Sequence, residues 1–288
     1  MINNRLMKQL FLSIFLFFSV FVFSQNQRFY YDYQFQTDST DLETKKSELM
    51  VLDIDKKGSK YYSEYVFQND SIMDAQFKKN MAAHSDNPVE MSGKQGVVGY
   101  KVLKSYPDFK INHIVSLDMT LYNADQQVKI NWKILPDKEK VGEWNVQKAE
   151  AHFAGRHWIA WFSTEIPIQD GPYKFYGLPG LIVRIEDKSG FHKMELKGIK
   201  NNVFERDIFA FEFEKPIPVN YTKYQTIYKN YRKDPLANFK KAALSGQAYM
   251  VDDSGKEIRG QDYVRSQEKI VQERMKKNNN ILELDLLK

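Results

Sequence analysis

The sequence predicts a mainly β protein, an antiparallel meander forming an open barrel, bowl or sandwich, with helices at its C-terminal end. Three observations predict it. Short runs of alternating apolar and polar residues recur between turns rich in Gly, Pro, Asn and Asp, the pattern of paired antiparallel strands. The strand-helix-strand alternation that builds parallel sheets is missing. After residue 220 the period lengthens, and Tyr221, Tyr224, Ile227, Tyr228 and Tyr231 fall at helical spacing.

The chain opens with Arg5 and Lys8, an apolar run from Leu10 to Phe23, and a small residue, Ser24, before Gln25. That order reads as a secretory signal peptide; the run is shorter than the roughly 20 residues of a spanning helix. The expected division is a signal peptide at 1–24, an antiparallel β domain at 25–219, and a helical region at 220–288 packed on it. The expected destination is the periplasm, the cell surface or the medium, with no transmembrane segment after cleavage. Cysteine is absent, which excludes disulfides, thiolate metal sites, a cysteine nucleophile and a lipid-modified cysteine. A domain of this size can hold itself together without cross-links.

Net charge is +5, and removing Arg5 and Lys8 takes it to +3. The basic residues are interspersed with acids instead of forming a stripe, so nucleic acid is not an expected partner. The 17 Tyr and 20 Phe suit β-sheet packing, and equally the recognition of glycans or peptides.

In chain order, strands are expected at 29–35 and 48–55, then a turn at Lys56, Lys57 and Gly58, then a strand at 60–67. Ser71 with Asp74 would cap a short helix carrying Met73, Phe77 and Met81 on one face, stopped by Asn87-Pro88. Further strands are expected at 97–103, 111–117 and 127–135, closed off by Pro136-Asp137 and Gly142.

The hairpin at 143–162 is the best defined. A turn centred on Ala154-Gly155 pairs Phe153 with Arg156, His152 with His157, Glu150 with Ile159 and Lys148 with Trp161. Counting by twos puts Ala149, Ala151, Phe153, Trp158, Ala160 and Phe162 on a core face. The other face holds Trp144, Val146, Lys148, Glu150, His152, His157, Ile159 and Trp161, a mixture suited to a concave surface. Strands at 191–199 and 208–213 follow. A helix then stops before Asp234-Pro235, where Asp234 is a good cap and Pro235 a good first residue for a second helix ending near Gly246. A third, over 262–277, is striped by Val264, Ile270, Val271 and Met275; Asn278 to Asn280 break it before an unassigned tail.

Residues 166–187 constrain their backbone most tightly. Gly171, Pro172, Gly177, Pro179 and Gly180 precede an apolar strand beginning at Leu181. Pro179 suits the second position of a type II turn and Gly180, at positive φ, the third. Gly177 permits an earlier bend, so Leu178 and Leu181 can aim inward. The loop reads primarily as a plug at one end of the sheet, with Lys174 at the surface. The alternative is a rigid rim presenting Tyr173, Lys174 and Tyr176 to a partner.

Gly177, Leu178, Pro179, Gly180, Leu181 and Ile182 spell GLPGLI. With Lys148-Ala149, Gly155-Arg156, Ala160-Trp161-Phe162, Ile166-Pro167 and Gly171-Pro172 upstream, the chain resembles the GLPGLI family of Bacteroidota, most strongly over 132–187. The resemblance implies an exported, β-rich protein of unestablished activity. That family is in turn similar, distantly, to a bowl-shaped N-terminal domain carried by some peptide-N-glycosidases, which bears on architecture and not on catalysis. His157 departs from the family pattern and inherits no role from it.

Few residues form a recognisable reaction centre. His152 and His157 lie side by side across the hairpin, but a stable metal site needs a third ligand and Glu150 is not evidently near enough; no metal or cofactor is expected. Glu165, Asp170, Glu186 and Asp187 flank the loop and could supply a carboxylate pair for glycoside hydrolysis. Arg156 could stack on Trp158 or pair with Glu165. The reading that results is a non-catalytic binding or accessory module for a peptide, a glycan or an envelope partner protein. Its contacts would come from Arg156, Trp161, Tyr173, Lys174 and Tyr176. A hydrolase using carboxylates or histidines on the sheet is the alternative.

Overall fold

The computed structural model describes residues 26–41, 43, 45–85, 93–209, 215–245, 249–251 and 257–288. The expected signal peptide, the Asn87-Pro88 stop, Gly246 and most of the strand expected at 208–213 lie outside them.

The described residues form an open twelve-stranded sheet. Its strands are β1 (Gln27–Phe35), β2 (Lys46–Asp55), β3 (Gly58–Ser63), β4 (Lys101–Ser105), β5 (Lys110–Leu117), β6 (Thr120–Gln126), β7 (Lys133–Val141), β8 (Trp144–Phe153), β9 (Arg156–Ser163), β10 (Leu181–Asp187), β11 (His192–Asn201) and β12 (Ile217–Asn220). The order is β12-β6-β5-β4-β3-β2-β1-β11-β10-β9-β8-β7. Every pairing is antiparallel except that of β12 beside β6. Two meanders thus meet on β1, one running outward to β6 and the other returning from β7.

This order dictates the curvature. β6 and β7 stand ten places apart in the sheet, roughly 48 Å along it at strand spacing. The connection 127–132 can reach at most about 25 Å. The sheet must therefore curl until β6 and β7 approach, although no ladder closes them. Loop 164–180 fills the gap. Trp132 Nε1 donates to the Tyr176 carbonyl at 2.8 Å, the Tyr176 hydroxyl donates to the Val128 carbonyl, and Lys174 Nζ reaches Gln126 Oε1 at 2.9 Å.

Period-two alternation supplies the inner face. Phe29, Tyr31, Tyr33 and Phe35 of β1 join Met50, Leu52, Tyr61, Val102, Ile111, Trp158, Ala160 and Met194 in one core, into which Phe175 and Leu178 of the loop are inserted. The helices follow: α1 (Glu64–Ala83), α2 (Tyr221–Lys233), α3 (Ala237–Leu244) and α4 (Gly260–Lys277). A short hairpin of β13 (Tyr249–Val251) and β14 (Glu257–Arg259) precedes α4. Tyr224 and Tyr228 of α2 pack on Leu117 and Ala124, together with Leu286 from the end of the chain.

Several elements differ from expectation. β3 stops at Ser63, whose hydroxyl accepts from Val66 N at 3.1 Å and starts α1; Ser71 instead sits inside the helix and bonds back to the Phe67 carbonyl. The Met73, Phe77 and Met81 stripe is not buried, Met81 being 65% exposed. The strand expected at 127–135 is instead a crossover over 127–132 followed by the first residues of β7. Pro136 lies within β7, at a register shift on the sheet edge, where a missing N–H is tolerated. Ile208 and Phe209 form a turn. Asp234-Pro235 does not open α3, because Asp118, from the β5–β6 turn, takes the N–H groups of Asn238 and Phe239, while Asp234 pairs with Lys240 at 2.9 Å.

Candidate functional site

The curled inner face carries an unusual load of buried charge. Lys104 and Asp170 form an ion pair with both side chains fully buried. Lys104 Nζ also donates to the Gly171 carbonyl at 2.6 Å, and the Tyr106 hydroxyl donates to Asp170. These contacts tie the loop to β4. Arg156 at the start of β9 pairs with Asp187 of β10 at 2.9 Å. Lys174 pairs with Glu283.

Two of these ion pairs hold the final residues of the chain. Arg156 donates to the Ile281 carbonyl at 2.7 Å and to Asn280 Oδ1 at 2.5 Å. Asn280 in turn bonds the backbone of residues 36 and 37 on both sides. His192 Nε2 lies 3.0 Å from the Asn280 carbonyl, which can only accept, so that nitrogen carries the proton. His192 Nδ1 therefore accepts from the Tyr33 hydroxyl at 2.8 Å. Glu283 receives the Tyr173 and Tyr221 hydroxyls, each at 2.6 Å, besides Lys174. Burial alone would raise the Glu283 carboxyl, but Lys174, with His113 and Tyr173, outweighs it and holds it at about 2. The tail is thereby laid across the sheet and ends in a 3-10 turn, Leu284–Leu287, against the Ala154-Gly155 tip.

Beneath the tail lies a cavity of about 230 Å³. Its walls are Tyr33, His113 and His192 from the sheet, Tyr100 from the stretch leading into β4, Tyr173 from the loop, Tyr224 and Tyr228 from α2, and Leu282, Glu283 and Leu286 from the tail. Val97, 60% exposed, stands at its mouth. The rings of Tyr100, Tyr173 and Tyr224 surround His113 edge-on, with centroids 5.6, 6.0 and 5.7 Å away. Both His113 nitrogens and the Tyr100 hydroxyl are buried without a protein partner. Burial, reinforced by Lys174, pushes His113 down to about 3; burial and then Arg156 push His192 to about 3. Both imidazoles are neutral at pH 7. Burial also drives the Tyr33, Tyr100 and Tyr173 hydroxyls well above their ordinary range, so they stay protonated.

The residues expected to bind are not brought together. Tyr173 lines the cavity, 3% exposed. Lys174, expected at the surface, is wholly buried, because Glu283 and Gln126 meet it inside; the loop presents neither residue on a rim. Tyr176 is half-buried and stacks on Phe109 at 4.3 Å. Trp161 lies on the opposite face of the sheet, under the Arg184 guanidinium at 5.2 Å. Arg156 meets Asp187 and the tail, and neither Trp158 stacking nor Glu165 pairing is its use. Glu165 bonds Asn145 instead.

The backbone of the GLPGLI segment also differs. Gly177 has φ +93, but Gly180 is not at positive φ, so the type II turn is absent. Gly180 N donates to the Leu178 carbonyl at 2.8 Å, closing a three-residue turn around Pro179. Gly180 is needed for space, since a Cβ there would stand 2.1 Å from the Ser163 carbonyl oxygen. Leu178, Leu181 and Ile182 are buried, while Pro179 is exposed.

The hairpin register is the expected one, pair for pair from Lys148–Trp161 to Phe153–Arg156. Its apolar face is the one that meets the loop, through Trp158 against Phe175 at 4.7 Å. The mixed face therefore turns away from the concavity. On it, His157 Nε2 lies 3.3 Å from Glu150, and among the described residues no three metal-ligating side chains gather.

Sequence reasoning missed Tyr33, Tyr100, His113, His192, Tyr224 and Glu283. Strand alternation carried a signal for Tyr33, in phase with Tyr31, and for His113, in phase with Ile111. Tyr224 and Tyr228 stood at i, i+4. Nothing near Glu283 marked it.

Comparison with known proteins adds the following. The family model described as "Protein of unknown function (Porph_ging)" matches residues 122–184, from β6 through the loop into β10. No curated protein matches the chain. Among solved structures, PNGF-II in one crystal form is similar over 72% of this chain and 34% of its own, at 13% identity and a TM-score of 0.50. PNGF-II in a second crystal form is similar over 72% and 33%, at 13% identity and a TM-score of 0.49. The chain thus spans about a third of the length of those structures, and the likeness is one of fold. Among the described residues no helix is long and apolar enough to cross a membrane.

Proposed function

We propose that this protein is an exported, non-catalytic binding module of the cell envelope or its surroundings, and that its ligand seats in the tyrosine-lined cavity. One observation carries the reading: a preformed cavity of about 230 Å³ is walled largely by tyrosine rings, with two histidines and Glu283 among them. The carboxylates flanking the loop support binding over hydrolysis. Asp170 and Asp187 are committed to Lys104 and Arg156, and neither faces the cavity. The natural ligand would be part of a peptide, a glycan or a partner protein of the envelope, or a small molecule.

Two measurements test this. Mass spectrometry of the protein from its native host should find Gln25 at the N-terminus, with Ser24 the last residue removed; an intact Met1 would sink the export reading. Native mass spectrometry of the same preparation should show an adduct that denaturation releases and that His113→Phe no longer carries. A mass equal to the bare chain, with unchanged melting of His113→Phe across small-molecule screens, would count against the binding reading.

A further inference from the structure

The tail that roofs the cavity is gripped in the way a bound peptide is gripped. We infer that the groove filled by residues 279–287 is a peptide-recognition site with the chain's own tail as its resident occupant. Its outside ligand is an extended acidic segment of another protein, which displaces the tail and puts a larger apolar side chain into the cavity; this rests on the binding reading above.

Residues 278–283 form neither strand nor helix, so no backbone ladder fixes them. Side chains from β9, β11, the loop and α2 hold them instead. Three successive main-chain carbonyls are taken by two of these side chains. His192 Nε2 donates to the Asn280 carbonyl at 3.0 Å, and Arg156 donates to those of Ile281 at 2.7 Å and Leu282 at 3.2 Å. Such contacts are open to any peptide, since every residue offers a carbonyl.

Two side chains are read individually. Asn280 accepts from Arg156 at 2.5 Å through Oδ1, and its Nδ2 donates to the Gln36 carbonyl at 2.7 Å. Glu283 accepts from Lys174, Tyr173 and Tyr221. An asparagine followed three residues later by a glutamate is therefore the polar signature of the groove. The negative charge is required, because Lys174 is wholly buried and a neutral or basic residue would strand it.

The apolar fit is looser. Leu282 and Leu286 line the cavity, yet about 230 Å³ stays open beside them. A cavity of about 150 Å³ holds a benzene ring, so an aromatic side chain in place of Leu282 has room. That space decides the competition. A tail tethered beside its own groove acts at an effective concentration on the order of millimolar. A foreign copy of the same sequence loses to it, whereas a peptide bearing a ring gains apolar contact that leucine does not make.

The test uses the full mature chain, as wild type and as Asn280→Ala, which loosens the tail but keeps the Lys174–Glu283 pair. Circular dichroism melts show that the variant folds. The probes are fluorescent peptides copying residues 279–288: the native sequence, Leu282→Phe, and Leu282→Phe with Glu283→Gln. The Leu282→Phe peptide is expected to bind both proteins more tightly than the native peptide, and Asn280→Ala more tightly than wild type. Adding Glu283→Gln should weaken it by about tenfold or more, as befits a lost charged hydrogen bond. In the wild type saturated with the Leu282→Phe peptide, hydrogen exchange over 279–287 should quicken as the tail leaves; this measurement suffices if Asn280→Ala does not fold. Three results would each overturn the inference: no peptide binding, equal binding of the Glu283→Gln peptide, or unchanged tail exchange with peptide bound. A wild-type dimer that excess peptide splits into monomers would put a second copy's tail in the groove, and would overturn the foreign ligand. None of these outcomes removes the adduct that denaturation releases, on which the binding reading stands or falls separately.

Discussion

The Lys174 ammonium and the Glu283 carboxylate, 109 residues apart in sequence, form an ion pair buried on both sides. Through it the loop that plugs the gap between β6 and β7 also anchors the tail that roofs the cavity. The site therefore depends on two segments that local sequence does not connect.

Removing one partner of this pair strands the other charge. Lys174→Met and Glu283→Leu should each cost about 3–5 kcal/mol, whereas the double variant should regain much of that loss because no lone charge remains. Urea midpoints of the three variants give the coupling directly. Losses that simply add would show that the two charges do not depend on each other.

The two glycines of the GLPGLI segment should respond differently. At Gly180 a Cβ would collide with backbone 2.1 Å away, and Gly180→Ala should cost about 1–3 kcal/mol or more. At Gly177 a Cβ meets nothing within 4 Å, but φ is +93, so Gly177→Ala should cost about 1 kcal/mol from backbone strain. Thermal melts that rank them in the opposite order would refute the close approach at Ser163.

The hairpin faces can be separated by substitution. Trp158 is buried against Phe175, and Trp158→Ala should destabilise by about 3–5 kcal/mol. His157 is half-buried on the outer face beside Glu150, and His157→Ala should stay within about 0.5 kcal/mol. Equal denaturant midpoints for the two would contradict the assignment of faces.

Stability should fall in mild acid. His113 and His192 are held at about 3 when folded and titrate near 6.5 when unfolded. Between those values the unfolded chain binds more protons, so stability declines as pH drops. Each histidine should remove about 2 kcal/mol between pH 7 and pH 5. Glu283, held at about 2, adds a further loss below its unfolded value of 4.5. Denaturation midpoints measured from pH 7 to pH 4 should show this slope, shallower in His113→Phe. A flat profile down to pH 5 would mean the imidazoles are not buried neutral.

Where structure is set by neighbours in the chain, the sequence was readable. The hairpin from Trp144 to Ser163 kept its expected register because period two and the Ala154-Gly155 turn are local facts, and both turn residues have positive φ. The helix Tyr221–Lys233 was legible for the same reason, at period 3.6. The start of α1 was not, because strand β3 runs into it without a break and Ser63 serves both.

Alternation, turn chemistry and the change of period after Asn220 determined a mainly antiparallel sheet followed by helices. They could not determine that the sheet would curl far enough for a short crossover to join β6 to β7, since that depends on the order in which strands pair. Nor could they tell that Lys174 is buried or that Gly180 is needed for space. A charged side chain is stable inside only if a partner arrives, and a missing Cβ matters only if another backbone passes close by. Glu283 and the Ser163 carbonyl are those neighbours, and only the tertiary structure brings them there.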